Sequence, residues 1–297
     1  MKVGVIMGGD SDEREISLLT GEQVINNLDK NKYEVFPIKI NNKNELIDKI
    51  KGIDFAFIAL HGKFGEDGTI QAFLETMGVP YSGSGVLASA LCMNKDISKK
   101  IFTAENIITP KWHLVTEKKN FSYDKIKQLG YPLVVKPNNG GSSIETYIVE
   151  NSEELEIAVN QCLKLKDQVI IEEYIQGEEI TCSIIGGIPM PIISIEAKAD
   201  FFDYNSKYNS EDTVETQAVL SEELTRRIQE VSLAIWRSFK LKAYGRIDII
   251  LKDKEIYVLE VNTLPGMTTS SLLPKSASIA GINFQELLDK IIEYSLK

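Results

Sequence analysis

Four polar residues occupy alternate positions of two apolar stretches: Arg246 and Asp248 within Tyr244-Gly245-Arg246-Ile247-Asp248-Ile249, and Glu260 and Asn262 within Val258-Leu259-Glu260-Val261-Asn262-Thr263. Both stretches read as strands, joined by the polar turn Lys252-Asp253-Lys254-Glu255. Side chains of a strand alternate between faces, so each pair shares one face. If 248 lies opposite 260, then 246 lies opposite 262 and all four polar groups converge. Two carboxylates and an amide oxygen suit a hard cation such as Mg²⁺, which takes oxygen ligands and usually brings a phosphate. The same alternation is the ordinary mark of a hairpin with one face in water. The hairpin by itself leaves both readings open.

Further groups upstream bear on that choice. Leu133-Val134-Val135-Lys136 reads as a strand ending in a cation, followed by the small-residue loop Pro137-Asn138-Asn139-Gly140-Gly141-Ser142-Ser143. Backbone N–H groups of such a loop can approach phosphate oxygens, with Lys136 as a point charge, although this is not the P-loop pattern. A mobile hairpin tip is the alternative. Val169 to Glu173 is an apolar strand closed by two carboxylates, able to accept from a base or ribose or simply to face water. Gly8-Gly9-Asp10-Ser11-Asp12-Glu13-Arg14-Glu15 links a strand to a helix start, where Glu15 is either an ordinary first-turn carboxylate or an acceptor for a substrate ammonium. His61-Gly62 falls at another strand end. Lys207-Tyr208 lies in the aperiodic polar stretch Asp200 to Gln217, a candidate lid over a phosphate. Pro265 to Leu272 leads into a helix whose N-terminus, with its hydroxyls, suits a carboxylate.

The elements that must carry these groups alternate. Val3–Met7, Tyr33–Ile38 and Phe55–Leu60 read as strands, and Glu13–Leu28, Asn44–Ile50 and Thr69–Met77 as helices. This predicts βαβ units, a parallel sheet, and ligands at the carboxyl ends of its strands. A helix from about Asn94 to Glu105 leads to the junction Thr109-Pro110. Strands at Leu133–Lys136, Thr146–Val149 and Val169–Glu173 follow, with a helix at Ser152–Leu165. Then come a hairpin, Ile180–Ile185 and Met190–Glu196 joined by Gly186 to Pro189, and a helix from about Glu222 to Phe239. Asn283 with Glu286 spells a capping box for the last helix.

At 297 residues, with 43% hydrophobic and 26% charged residues, the chain fits a soluble globular protein of two or three subdomains. A net charge of −10 argues against a nucleic-acid partner. Cys92, Cys162 and Cys182 give neither a disulfide framework nor a zinc pattern and fit a reducing cytosol. The run Ile53 to Leu60 is too short for a membrane span, and no signal peptide is expected.

Taken together, six motifs in register resemble the ATP-grasp ligases, and within them the D-alanine–D-alanine ligases, over essentially the whole chain. They are Gly8-Gly9-x-Ser11-x-Glu13-x-Glu15; Ala59-Leu60-His61-Gly62-x-x-Gly65-Glu66-Asp67-Gly68; Lys136-Pro137 with Gly141-Ser142-Ser143; Lys207-Tyr208; Gly245-Arg246-Ile247-Asp248; and Glu260-x-Asn262-x-x-Pro265-Gly266-Met267-Thr268. The resemblance implies an α/β, ATP-grasp fold: an N-terminal Rossmann-like parallel-sheet domain (1–92) plus two α+β subdomains that clasp ATP (93–176 and 177–297), with a lid at about 200–217. It implies ATP-driven joining of two D-alanines through a D-alanyl phosphate for peptidoglycan synthesis, in the cytoplasm, by a homodimer. Asp248, Glu260 and Asn262 would hold two Mg²⁺, replaceable by Mn²⁺, and Arg246 would stabilise an oxyanion. Lys95, Lys136 and Lys207 would contact ATP phosphates, and Glu172 and Glu179 the adenine and ribose side. Glu15, Ser142 and Tyr208 would form a network, Tyr208 favouring an amine over a hydroxyl nucleophile. Glu15, His61, Ser271 and Leu272 would bind substrate. Two departures stand out: Glu145 replaces a common Gly, and Thr213 to Ala218 lacks the expected Pro-Ala. The alternatives are an ATP-grasp ligase using D-serine or D-lactate and a non-catalytic nucleotide-binding protein. A dinucleotide oxidoreductase would need Gly-x-Gly-x-x-Gly after the first strand, and that is missing.

Overall fold

The computed structural model describes residues 1–117, 121, 126–140, 145–165, 167–197 and 213–297. Its first sheet holds β1 (Lys2–Gly8), β2 (Glu34–Ile40) and β3 (Phe55–Ile58), all parallel, in the order β2-β1-β3. Val3, Val5, Ile6 and Phe55 to Ile58 are all buried, as strands covered on both faces require. α1 (Arg14–Asn27) forms the first crossover, and a 3₁₀ turn (Lys43–Glu45) with α2 (Leu46–Lys49) lies in the second. The third strand ends two residues before the expected Leu60, and Ala59 and Leu60 continue as buried coil toward His61. α3 (Thr69–Thr76), α4 (Val86–Met93) and α5 (Lys95–Ala104) follow. The sequence reading passed over α4, whose residues are apolar on most sides and show little helical periodicity. Asn94 separates it from α5 and caps the latter, its side chain accepting from Ile97 N at 3.0 Å.

The second sheet is antiparallel, with order β4-β7-β5-β6: β4 (Trp112–Val115), β5 (Leu133–Pro137), β6 (Tyr147–Val149) and β7 (Val169–Glu173). Alternation sorts β5 and β7 into two faces. Leu133, Val135, Val169 and Ile171 pack with Leu155, Ala158 and Cys162 of α6 (Ser152–Lys164). Val134, Lys136, Ile170, Glu172 and Trp112 take the other face, with Glu172 directly opposite both Val134 and Trp112.

The third sheet runs β11-β10-β8-β12-β13, with β9 also on β8. Its strands are β8 (Glu178–Ile185), β9 (Ile188–Pro189), β10 (Ile193–Ala197), β11 (Thr213–Gln217), β12 (Tyr244–Lys252) and β13 (Glu255–Asn262). Two points correct the sequence reading. The turn after β8 is only Gly186-Gly187, both at positive φ (59° and 81°), so Ile188 and Pro189 already pair back on β8. Thr213 to Gln217 is not aperiodic: it is an antiparallel edge strand on β10, leaving residues 198–212 outside the described part. α7 (Glu222–Ser238) covers the apolar face, with Ile228 and Ile235 against Ile247, Ile249 and Val258. α8 (Leu272–Ile279) and α9 (Phe284–Leu296) return to the first sheet, and Leu273, Leu287 and Ile291 share one core with Val5 and Phe57. The capping box of Asn283 and Glu286 is present, with both bonds at 3.0 Å.

Candidate active site

The β12–β13 ladder has the register under which the four polar groups converge: Arg246 opposite Asn262, and Asp248 opposite Glu260. A bulge follows at Asp248/Ile249, where Leu259 has no partner in the register. It lets Val258 and Val261 both enter the core while Glu260 and Asn262 stay on the polar face. β8 extends that face, placing Ser183 opposite Arg246, Thr181 opposite Asp248 and Glu179 opposite Ile250.

Asp248 is the hub of this face. Arg246 donates from Nε and an η nitrogen to its two oxygens, both at 2.8 Å, and Thr181 Oγ1 and Asn262 Nδ2 add bonds of 2.8 Å. Burial opposes the charge on Arg246, but Asp248 outweighs it and raises the guanidinium above its ordinary value. Glu260 pairs with Lys95 at 3.3 Å. Among the described residues no three His, Cys, Asp or Glu side chains converge, so the oxygen set is two carboxylates plus Asn262. Its chemistry fits a hard cation. Asp248 already accepts four bonds, so to ligate one it must share or release Arg246, Thr181 or Asn262.

Across the cleft, Lys95 at the start of α5 reaches Gly140 O and Glu260, and Asn138 holds the helix start by accepting from Asp96 N at 2.9 Å. The cleft between is lined by Glu66, Cys92, Lys95, Gly140, Glu260 and Asn262. On the polar face of the second sheet, Lys136 Nζ lies 2.5 Å from Glu172 Oε1. Burial pushes the Glu172 carboxyl up, but Lys136 and Lys99 overcome it and hold the group well below the usual range. Glu172 therefore organises two lysines as a buried carboxylate, its side chain only 3% exposed.

At the carboxyl ends of the first sheet the structure makes one correction. Glu15 is exposed in the first turn of α1, the ordinary place for a carboxylate at a helix N-terminus. The acid that turns into the cleft is Glu13, 8% exposed, at the N-cap position without a capping bond, because the helix begins only at Arg14. A Cβ on Gly62 (φ +68) would fall on the Glu13 carboxylate, so only glycine lets the His61-Gly62 turn pass this close. Burial first, then Glu66 and Asp12, push Glu13 up to about 7 against His61 and Lys95. His61 is fixed beside it: Nε2 lies 3.0 Å from Thr20 Oγ1 and Nδ1 3.3 Å from Glu66 Oε1, while Ser11 Oγ donates to its carbonyl at 2.9 Å.

Ser271 stands at the N-cap of α8, and its Oγ accepts from Thr268 N at 3.1 Å; Leu272 opens the helix. Glu179 is half-buried on the polar face of β8. Ser142, Lys207 and Tyr208 lie outside the described residues. Lys99 and Glu13 escaped the reading of site residues. A lysine in an amphipathic helix reads as solvated, and Glu13 is separable from Glu15 only by knowing where the helix starts.

A lysine-lined cleft between two antiparallel sheets, facing the strand ends of a parallel sheet, defines the ATP-grasp class of nucleotide-dependent enzymes. Family models described as D-ala D-ala ligase N-terminus and C-terminus match residues 2–51 with 43–84, and 101–293. The chain belongs to the D-alanine–D-alanine ligase family. It is 53% identical over all 297 residues, 98% of the relative, to a D-alanine–D-alanine ligase of Bacillus anthracis. A crystal structure of the Bacillus anthracis enzyme complexed with ATP superposes with a TM-score of 0.92 at 51% identity, covering 100% of this chain and 97% of that one. The VanG D-Ala:D-Ser ligase of Enterococcus faecalis matches at 0.86 and 31% identity, covering 99% of each chain. Among the described residues no helix is long and apolar enough to cross a membrane.

Proposed function

We propose that this chain joins two D-alanines at the expense of ATP, releasing ADP and phosphate, and that three subdomains bounded near residues 92 and 176 enclose the reaction. The carboxylate of the first D-alanine attacks the γ-phosphorus as the bond to ADP breaks. The amine of the second then attacks the acyl carbon, and phosphate leaves. The observation that carries this reading is the β12–β13 register, which sets two carboxylates and an amide opposite one another beside Lys95. The ATP-bound relative supports it with half its sequence shared.

Each group has a task in that sequence. Mg²⁺ held by Asp248, Glu260 and Asn262 would offset charge on the transferring phosphoryl group. Lys95 and Lys136 draw the polyphosphate into the cleft by charge, and Lys207 from the lid would add to them. Glu13 takes the part that the sequence resemblance gave to Glu15: its carboxylate accepts the first ammonium, which a nearby cation makes easier by lowering its pKa. His61, fixed by Thr20 and Glu66, shapes that pocket. Ser271 and the backbone at Leu272 present N–H and O–H donors to the second carboxylate at the start of α8. Arg246, if released from Asp248, would donate to the developing oxyanion. The sequence resemblance would add Ser142 and Tyr208 to this network, with Glu179 on the ribose side. We place this activity in a cytoplasmic homodimer that supplies peptidoglycan synthesis.

Phosphate release from ATP with D-alanine, D-serine or D-lactate as partner of D-alanine tests the reading. We expect release with D-alanine alone and weak stimulation by the other two. No release with D-alanine alone would reject it, and preference for D-serine would move the chain to the function of the VanG relative. ATP binding without any release would leave a non-catalytic nucleotide-binding protein.

A further inference from the structure

Lys99 is the most fully buried cation in the described part of the chain, its side chain at 0% exposure, and none of the roles assigned above uses it. Its Nζ lies 2.8 Å from Glu172 Oε2 and donates to Thr109 Oγ1 at 2.8 Å and Pro110 O at 3.2 Å. The ammonium also stands 5.6 Å over the ring of Trp112, whose indole donates to Asp96 at 2.9 Å. One cation thus ties α5, the 109–110 junction, β4 and β7 together. Glu172 bridges it to Lys136, on which Glu260 and Glu179 also act, so the buried row reads cation, anion, cation with Lys136 at the cleft end.

We infer that Lys99 is a positioning residue of the nucleotide site: it holds the Glu172 carboxylate on the register that presents Lys136 to the phosphates. Without Lys99, Glu172 has one cation instead of two and can swing on its side-chain torsions, taking Lys136 with it. Burial pulls the Lys99 ammonium down to about 8, so Glu172 is what keeps it charged in the neutral range. The inference rests on placing ATP between the two antiparallel sheets.

The test uses the full-length enzyme with Mg²⁺, ATP and D-alanine. Lys99→Gln keeps a donor for the junction and removes the charge; Lys99→Met removes both. Thr109→Val removes the junction bond alone. We expect both Lys99 variants to raise KM for ATP and Kd for ADP about tenfold, the scale of one lost charge-assisted hydrogen bond, with KM for D-alanine within twofold. Thr109→Val should leave all three constants within twofold. Unchanged nucleotide constants in Lys99→Gln overturn the inference. So does an equal rise in KM for D-alanine, which would mean general loosening. If Lys99→Met does not fold, Lys99→Gln and Thr109→Val still decide. Glu172→Gln separates the two levels: if it weakens ADP binding and Lys99→Gln does not, only the role of Lys99 fails. If neither does, the placement of the nucleotide fails as well.

Discussion

Replacing Glu13 by Gln should stabilise the protein above neutral pH and leave it unchanged in acid. The group is raised from 4.5 to about 7 in the folded chain, first by burial and then by Glu66 and Asp12. A raised acid binds its proton more tightly when folded, so it costs nothing below pH 4.5, where both states are protonated. The penalty grows as pH rises through that interval and is complete above about 7, where it amounts to roughly 3 kcal/mol. For a chain of this length that is about 6 °C in Tm. Thermal unfolding of wild type, Glu13→Gln and Glu15→Gln between pH 5 and 8 reads it out. The Glu13 variant should pull ahead of wild type by several degrees at pH 8 and come within about 2 °C of it at pH 5, while Glu15→Gln tracks wild type throughout. D-alanine should protect wild type more than Glu13→Gln, because its ammonium stabilises the ionised carboxylate. Parallel curves for Glu13→Gln and wild type would refute a buried, strained acid at this position.

Three further outcomes follow from the same geometry. Glu13→Gln should lose at least a hundredfold in kcat/KM for the first D-alanine and Glu15→Gln less than threefold; the reverse order would restore Glu15 to the site. Glu260→Gln should abolish turnover while far-UV circular dichroism and Tm stay near wild type, and near-normal activity would remove its metal role. Asp248→Asn strips the carboxylate from half-buried Arg246 and should cost roughly 2 kcal/mol of stability, the scale of hydrogen bonds to a charged group, checked by urea unfolding. A cost below about 1 kcal/mol would mean that Arg246 finds another partner.

The hairpin was legible because strand alternation depends on nothing but spacing, but its register was not: from the Lys252–Glu255 pair an unbroken ladder would set Asp248 opposite Leu259, and only the bulge brings it opposite Glu260. The bulge beside it was hidden: Leu259 is as apolar as its neighbours, and only packing decides which residue is left unpaired. The βαβ reading of the first sheet held for the same reason, since Val3–Met7 and Phe55–Ile58 are continuous apolar runs. β11 was lost in a polar stretch although Thr213-Val214-Glu215-Thr216 alternates, because an exposed edge strand buries too little to announce itself. Glu13 and Glu15 differ by one step into a helix whose start is set by tertiary contacts, through Arg14 on the Gly9 and Ile40 carbonyls. Lys99 was invisible for the opposite reason: its partners Thr109, Pro110 and Glu172 lie on two other segments.

The route of oxygen tests the central claim most directly. With D-alanine labelled by ¹⁸O in both carboxylate oxygens, unlabelled ATP and Mg²⁺, attack on the γ-phosphorus followed by loss of phosphate transfers one label. Mass spectrometry of the products should then show one ¹⁸O in the inorganic phosphate for each D-alanyl-D-alanine formed, with one retained in the new amide carbonyl. Unlabelled phosphate alongside dipeptide would contradict activation of the carboxylate by phosphoryl transfer, and phosphate without dipeptide would contradict ligation itself.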